Sequence, residues 1–298
     1  MIRTLQIIII YILFQLPVFA HPGWGIDFDS RGNLYFTDII NKTIWKLSQN
    51  GELTAFSEMK WSHQLFVDED DNIIICNEEF KMGNGWNSVI KISPNGDESY
   101  IVEPTKYGMG FSGSLIVPIN NLIVYEYKNN LFSLNKDSGY SKFIDKSKFS
   151  SITNLHIEDN NTVYIVDDNK IKCLDQNGKL KTVAENLLEL NNLRGAYGGK
   201  YNRIYGIDLD TNGNIYAAYY GNSQVLKISP EGTKAEIYLS QKNWYPVGVK
   251  IFDNHLFVLE EGHAENDGPT ALRIVKLDSK GNKEVIISMG HIGGIPVE

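Results

Sequence analysis

The sequence predicts an all-β fold, a six-bladed β-propeller with four antiparallel strands per blade, on three observations. One unit recurs six times; its runs are rich in β-branched and aromatic residues; and Gly, Asn and Asp mark the turns between the runs. The first copy reads Gly25-Ile26-Asp27-Phe28-Asp29, then Asn33-Leu34-Tyr35-Phe36-Thr37-Asp38, then Thr43-Ile44-Trp45-Lys46-Leu47, and turns at Asn50-Gly51. The fifth copy follows it nearly position for position. It reads Gly206-Ile207-Asp208-Leu209-Asp210, Asn214-Ile215-Tyr216-Ala217-Ala218, Val225-Leu226-Lys227-Ile228-Ser229 and Glu231-Gly232.

The second strand of the unit ends at Asp38, Asn77, Glu126, Asp167, Tyr219 and Glu260, at intervals of 39, 49, 41, 52 and 41 residues. A four-stranded unit of this length cannot bury both of its faces alone. Six of them in a ring cover one another and leave only short edges. The tail 290–298 is too short for a seventh unit, and almost nothing precedes the first innermost strand. Ring closure is therefore expected to rest on apolar packing between blades one and six rather than on a shared strand.

Outside the repeat, residues 1–20 read as a signal peptide. Arg3 supplies the positive start, Leu5 to Leu16 is nearly all apolar, and Val18-Phe19-Ala20 places a small residue before a cut. The apolar run is short for a membrane span. A cut after Ala20 leaves residues 21–298 as the propeller, secreted or periplasmic, with no stable membrane span and with His21 as its amino terminus. The net charge of -8 gives no general attraction for phosphate backbones and excludes nucleic acid as the expected partner. Cys76 and Cys173 fall in blades two and four, which are not neighbours, so both are expected as small buried apolar residues and not as a disulfide.

Propeller geometry sorts candidate residues by face. Each innermost strand starts on one face and the second strand returns to it, so those ends surround one mouth of the channel. The Asp-rich hairpins lie on the opposite face. Among them, Asp208 to Gly213 imitates the start of a calcium loop, but Tyr219 stands where that loop needs an acidic residue, and the segment reads as a turn. At the strand-start mouth, Trp24, Trp61, Trp86, Asn154, Tyr205, Tyr219 and Trp244 are the candidate ligand contacts, because rings with a polar edge suit sugars and other amphipathic ligands. His63, Glu78 and Glu260 are the candidate catalytic residues. Asn154, His63, Glu260 and His263 have the chemistry for a divalent metal, the one candidate cofactor. Long loops are expected after the second strands of blades two and six, from Glu78 and from Glu261.

The repeat resembles the NHL-repeat propellers and, more closely, the senescence marker protein/gluconolactonase/luciferin-regenerating family. The resemblance is sharpest at Tyr205 to Tyr216 and at Ser223 to Gly232. It implies one divalent metal in the channel and hydrolysis of lactones or related esters, with ligands from Glu at the start of blade one, Asn in blades three and four, and Asp in blade five. At those positions this chain has the His21 to Trp24 segment, Ser112-Gly113, Asn154 and Tyr205. Two readings stand from the sequence: a propeller that binds a small-molecule or glycan ligand at its channel face, and a metal-assisted hydrolase or lyase with a rebuilt site.

Overall fold

The computed structural model describes residues 23–81, 84–106, 115–119, 122–135, 139–144, 148–158, 162–175, 177–189, 193, 201–263 and 269–290. Six four-stranded antiparallel sheets are formed, each from four strands consecutive in sequence. Blade 1 is β1 (Ile26–Phe28), β2 (Leu34–Asp38), β3 (Thr43–Leu47) and β4 (Leu53–Glu58). Blade 2 is β5 (Leu65–Val67), β6 (Ile73–Lys81), β7 (Asn84–Ile92) and β8 (Glu98–Lys106). Blade 3 is β9 (Ile116–Ile119), β10 (Leu122–Tyr127), β11 (Asn130–Asn135) and β12 (Gly139–Ile144). Blade 4 is β13 (Ile152–Ile157), β14 (Val163–Asp167), β15 (Lys170–Leu174) and β16 (Leu180–Glu185). Blade 5 is β17 (Ile204–Leu209), β18 (Ile215–Tyr219), β19 (Gln224–Ile228) and β20 (Lys234–Leu239). Blade 6 is β21 (Trp244–Phe252), β22 (His255–His263), β23 (Pro269–Leu277) and β24 (Lys283–Gly290).

The second strand of each blade lies between two neighbours and is apolar on both sides for that reason; β2 is buried at all five positions. Among the described residues no strand is exchanged at the closure. Ile26, Leu34 and Phe36 of blade 1 share one core with Phe257, Leu259 and Ile274 of blade 6, and Phe28 stacks on Phe252 at 4.1 Å.

Near the axis the innermost strands approach through glycine. A β-carbon on Gly206 would lie 2.8 Å from the Gly248 α-carbon, and one on Gly248 would lie 2.5 Å from the Trp24 carbonyl oxygen. Both obstacles are backbone and cannot swing aside. Gly248→Ala is therefore expected to cost about 1–3 kcal/mol by overpacking. Urea denaturation measures it, and a midpoint equal to the parent's would show that the ring spreads freely.

The hairpins between first and second strands are built by aspartate. Asp29 accepts from the Asn33 amide at 2.8 Å, Asp68 from that of Asn72 at 2.8 Å, and Asp210 from that of Asn214 at 2.9 Å. Gly213 adds the positive φ (76°) that the turn requires. The loop that imitates a calcium site is thus a hydrogen-bonded turn. Burial alone would raise these carboxyl pKa values, but the hydrogen bonds from Asn33, Asn72 and Asn214 outweigh it, and all three lie below the ordinary value. Their contribution is complete above the unfolded-state pKa, about 3.9, and is lost as pH falls through the lower folded values. The urea midpoint is expected to fall on acidification below pH of about 4, less steeply in Asp210→Asn; an equal slope in both proteins would refute the assignment.

Two expected loops are strands. The ladder of β6 and β7 runs unbroken from Ile73–Ile92 to Lys81–Asn84, and that of β22 and β23 reaches from Leu256–Leu277 to His263–Pro269. Main-chain pairing supplies what the polar, Gly-containing sequence there did not advertise. Blades 2 and 6 consequently stand taller than blade 1 between them.

Candidate functional site: the central cavity and the strand-start face

A cavity of about 630 Å3 runs along the axis, bounded by the innermost strands. One residue per blade occupies an equivalent level: Asp27, Phe66, Pro118, His156, Asp208 and Lys250, opposite Tyr35, Ile74, Ile123, Tyr164, Tyr216 and Phe257 in the ladders. Four of these six residues, Asp27, His156, Asp208 and Lys250, are ionisable, and two neighbours, Phe66 and Pro118, are apolar. The Lys250 ammonium lies 3.0 Å from Asp27 Oδ1 and 3.5 Å from Asp208 Oδ1. His156 Nε2 lies 3.5 Å from the same Asp208 oxygen and 3.2 Å from Glu158 Oε1.

The two aspartates also join neighbouring blades. Asp27 Oδ2 accepts the Val67 amide at 2.9 Å, and Asp208 Oδ2 accepts the Ile251 amide at 2.6 Å. Burial would strip the proton from Lys250, but Asp208 and Asp27 more than compensate and hold its pKa well above the ordinary value. It is a fixed cation and not a nucleophilic amine.

The cavity opens toward the hairpin face, between Asp68, Glu69, Asp70 and Glu158, and ends at Trp24, Gln64 and Asn154. Gln64 crosses between blades there: its Nε2 donates to the Leu155 carbonyl at 2.9 Å and its Oε1 accepts the Ile116 amide at 3.2 Å. Trp24 stacks on His63 at 4.9 Å and on Tyr205 at 5.6 Å. Its ring touches the core between blades 1 and 6 and also the core of blades 3 and 4, so it closes the inner end of the cavity.

On the strand-start face the expected aromatic mouth is a set of rings packed on one another. Tyr205 meets Tyr220 edge-on at 5.3 Å, and Tyr220 stacks on Tyr245 at 4.9 Å. The Tyr220 hydroxyl lies 3.0 Å from His263 Nε2, and Glu261 Oε2 lies 3.2 Å from the same nitrogen. His63 Nε2 stands 3.8 Å from Glu78 Oε1. Burial pushes the Tyr205 hydroxyl up to about 12, and burial and the Glu261 charge raise that of Tyr220 as well.

The remaining candidates lie apart from these. Trp61 packs on Phe80 at 5.3 Å with the Lys42 ammonium over its ring. Trp86 pairs with Glu79 in the extended β6–β7 ladder. Tyr219 is fully buried, and its hydroxyl accepts the Glu189 amide at 2.8 Å and donates to Asn202 Oδ1 at 2.7 Å. Trp244 lies under the Arg273 guanidinium at 4.1 Å. Glu260 is fully buried and holds Arg273 Nε at 2.5 Å. The structure thus joins His63 to Glu78, joins His263 to Glu261 and Tyr220, lines the cavity with Trp24 and Asn154, and places Glu260 elsewhere.

The residues at the four family positions do not fit a divalent metal. Of those described, Trp24 offers an indole N–H, Asn154 a neutral amide, and Tyr205 a phenol held un-ionised; a hard cation wants several oxygens including carboxylate. Ser112-Gly113 and His21 lie outside the described residues. Among the described residues no three His, Cys, Asp or Glu side chains come together to hold a metal. Cys76 is buried, with its thiol pKa pushed up by burial, and both cysteines are free.

Sequence reasoning missed Asp27, His156, Asp208 and Lys250 as one group. Their signal was the equivalent position two residues after Gly25, Asn154, Gly206 and Gly248.

The molecule is a six-bladed propeller of the kind built by several ring-shaped enzymes. Among solved structures it is similar to a streptogramin B lyase, at 17% identity over 91% of this chain and 85% of that one, with a TM-score of 0.57. It is also similar to a gluconolactonase from Xanthomonas campestris, at 11% identity over 80% and 84% with a TM-score of 0.58. A luciferin-regenerating enzyme matches at 12% identity over 83% and 86%, with a TM-score of 0.54. At these identities the likeness is one of fold. No protein-family model matches the sequence, and no curated protein matches it.

Proposed function

We propose that the protein binds a small polar ligand in the central cavity, entered from the hairpin face. The observation that carries this reading is the cavity itself: about 630 Å3, within the range of small-molecule sites, roughly 300–1,000 Å3, with ionisable and apolar residues on its wall. The strand-start rings, which the sequence offered for carbohydrate, are engaged with one another. Of the ligand contacts expected from sequence, Asn154 and Trp24 line the cavity. A thermal-shift screen of sugars, organic cations and organic anions tests the reading. A hit is expected whose affinity falls about tenfold in Asn154→Leu; no hit, or a hit indifferent to that variant, would overturn it. Export completes the proposal. It is supported by Arg3 and the apolar run through Leu16, and protein recovered from expressing cells should begin at His21.

A second reading has its own observation. His263 shares one ring nitrogen between the Tyr220 hydroxyl and Glu261, an arrangement suited to acid–base chemistry without a metal, and the similar folds include a lyase and a lactonase. Turnover of an ester, lactone or elimination substrate that disappears in His263→Ala would support it; no turnover of any of the three classes would end it.

A further inference from the structure

Taking the cavity as the binding site, we infer that its ligand is an elongated organic polycation, an aliphatic di- or polyamine, threaded from the acidic opening to Asn154. Three observations converge. Carboxylates dominate the wall: Asp27, Asp208, Asp68, Glu69, Asp70 and Glu158 face one lysine and one histidine. Lys250 answers Asp27 and Asp208, and Lys91 lies 3.2 Å from Asp68. Glu158 meets the His156 ring at 3.2 Å, Glu69 and Asp70 stand beside it at the opening, and a low-dielectric well lined by one sign of charge concentrates the opposite sign.

At the inner end, Asn154 is 2% exposed and lines the cavity, and among the described residues its side chain makes no hydrogen bond. It lies two residues before His156 on β13, so period-two alternation puts both side chains on the channel side. An amide on a cavity wall without a protein partner is open to a ligand's hydrogen bonds. Its oxygen is an acceptor for an ammonium group, while the carboxylates at the opening take the rest of the charge.

Between the two ends, Phe66, Ile74 and Pro118 form the apolar side of the wall, where methylenes can lie. From Asn154 to Glu158 is four residues of extended strand, about 13 Å, a span suited to a chain of spermidine's length. Other ligand classes fit less well. An anion meets the carboxylates. A sugar finds Trp24 already stacked against His63 and Tyr205, which leaves Phe66 as the aromatic ring on the described wall. A metal ion finds only a neutral amide at depth.

Calorimetric titration of the mature chain with spermidine, calcium chloride and cellobiose, each alone, decides the matter. Spermidine is expected to bind and to weaken as salt rises from about 50 to about 300 mM. Asn154→Leu and the double variant Asp70→Asn/Glu158→Gln should each lose about tenfold in affinity, with melting temperatures near the parent's. Binding of cellobiose or calcium in place of spermidine, lost in Asn154→Leu, would overturn the polyamine and leave the cavity as a binding site. Spermidine binding indifferent to both sets of substitutions would reveal surface attraction only and overturn the inference. Silence from all three probes would count against both the inference and the cavity reading.

Discussion

Arg273→Leu is expected to lower folding stability by about 3–5 kcal/mol, because it leaves a fully buried carboxylate without its cation. Glu260 is 0% exposed and lies beside Arg273 in the β22–β23 ladder, with Arg273 Nε at 2.5 Å. The guanidinium also reaches Gln241 Oε1 at 2.8 Å and covers Trp244. Leucine retains the stem's packing but none of these contacts. The double variant Glu260→Leu/Arg273→Leu removes the orphaned charge and should regain a large part of the loss. Urea unfolding of parent, both singles and the double measures the cycle. A single-variant loss below about 1 kcal/mol would place the pair among weak surface ion pairs. This prediction also bears on role: Glu260, a candidate catalytic residue in the sequence, acts here as half of an internal pair between the two middle strands of blade 6.

Trp24→Ala should cost about 3 kcal/mol, the lower end for a large aromatic, since the ring is only partly buried. The indole touches two separate cores and stacks on two rings from different blades. Alanine removes all of those contacts together, and the neighbouring backbone, pinned by the Trp24 and Gly25 amides on the His63 carbonyl, cannot collapse into the space. The cavity should then communicate with the strand-start face. Differential unfolding quantifies the loss, and a dye too large for the hairpin-side opening reports the new passage. A change under about 1 kcal/mol with no new access would mean that Gln64 alone closes the inner end.

The architecture was legible because its causes are local. The apolar run Leu34–Phe36, the Asp-to-Asn turn at Asp29–Asn33 and the glycine at Gly206 each act within a few residues, and each recurs. The tall hairpins of blades 2 and 6 were not legible, because main-chain pairing from Glu78 to Lys81 does not depend on an apolar pattern. The site was harder for a related reason. Asp27, His156, Asp208 and Lys250 lie in four different blades, and each looks like an ordinary strand residue in its own repeat. Only the closed ring makes them neighbours. Conversely ring stacking engages Trp24 and Tyr205, and a buried hydroxyl engages Tyr219, within the protein, which a residue list cannot foresee.

Five of the six junctions in the ring are bridged by the chain itself, while between the described residues of blades 6 and 1 the contacts are made by packing and side chains, among them Phe28 on Phe252 and Lys250 on Asp27. Mechanically this is a bracelet with a clasp but no latch. Under strain the loop should part there first and hinge open along the axis, with each blade still folded. A circular permutation that closes this junction and opens another would move the clasp, and the molecule's weakest seam would travel with the cut.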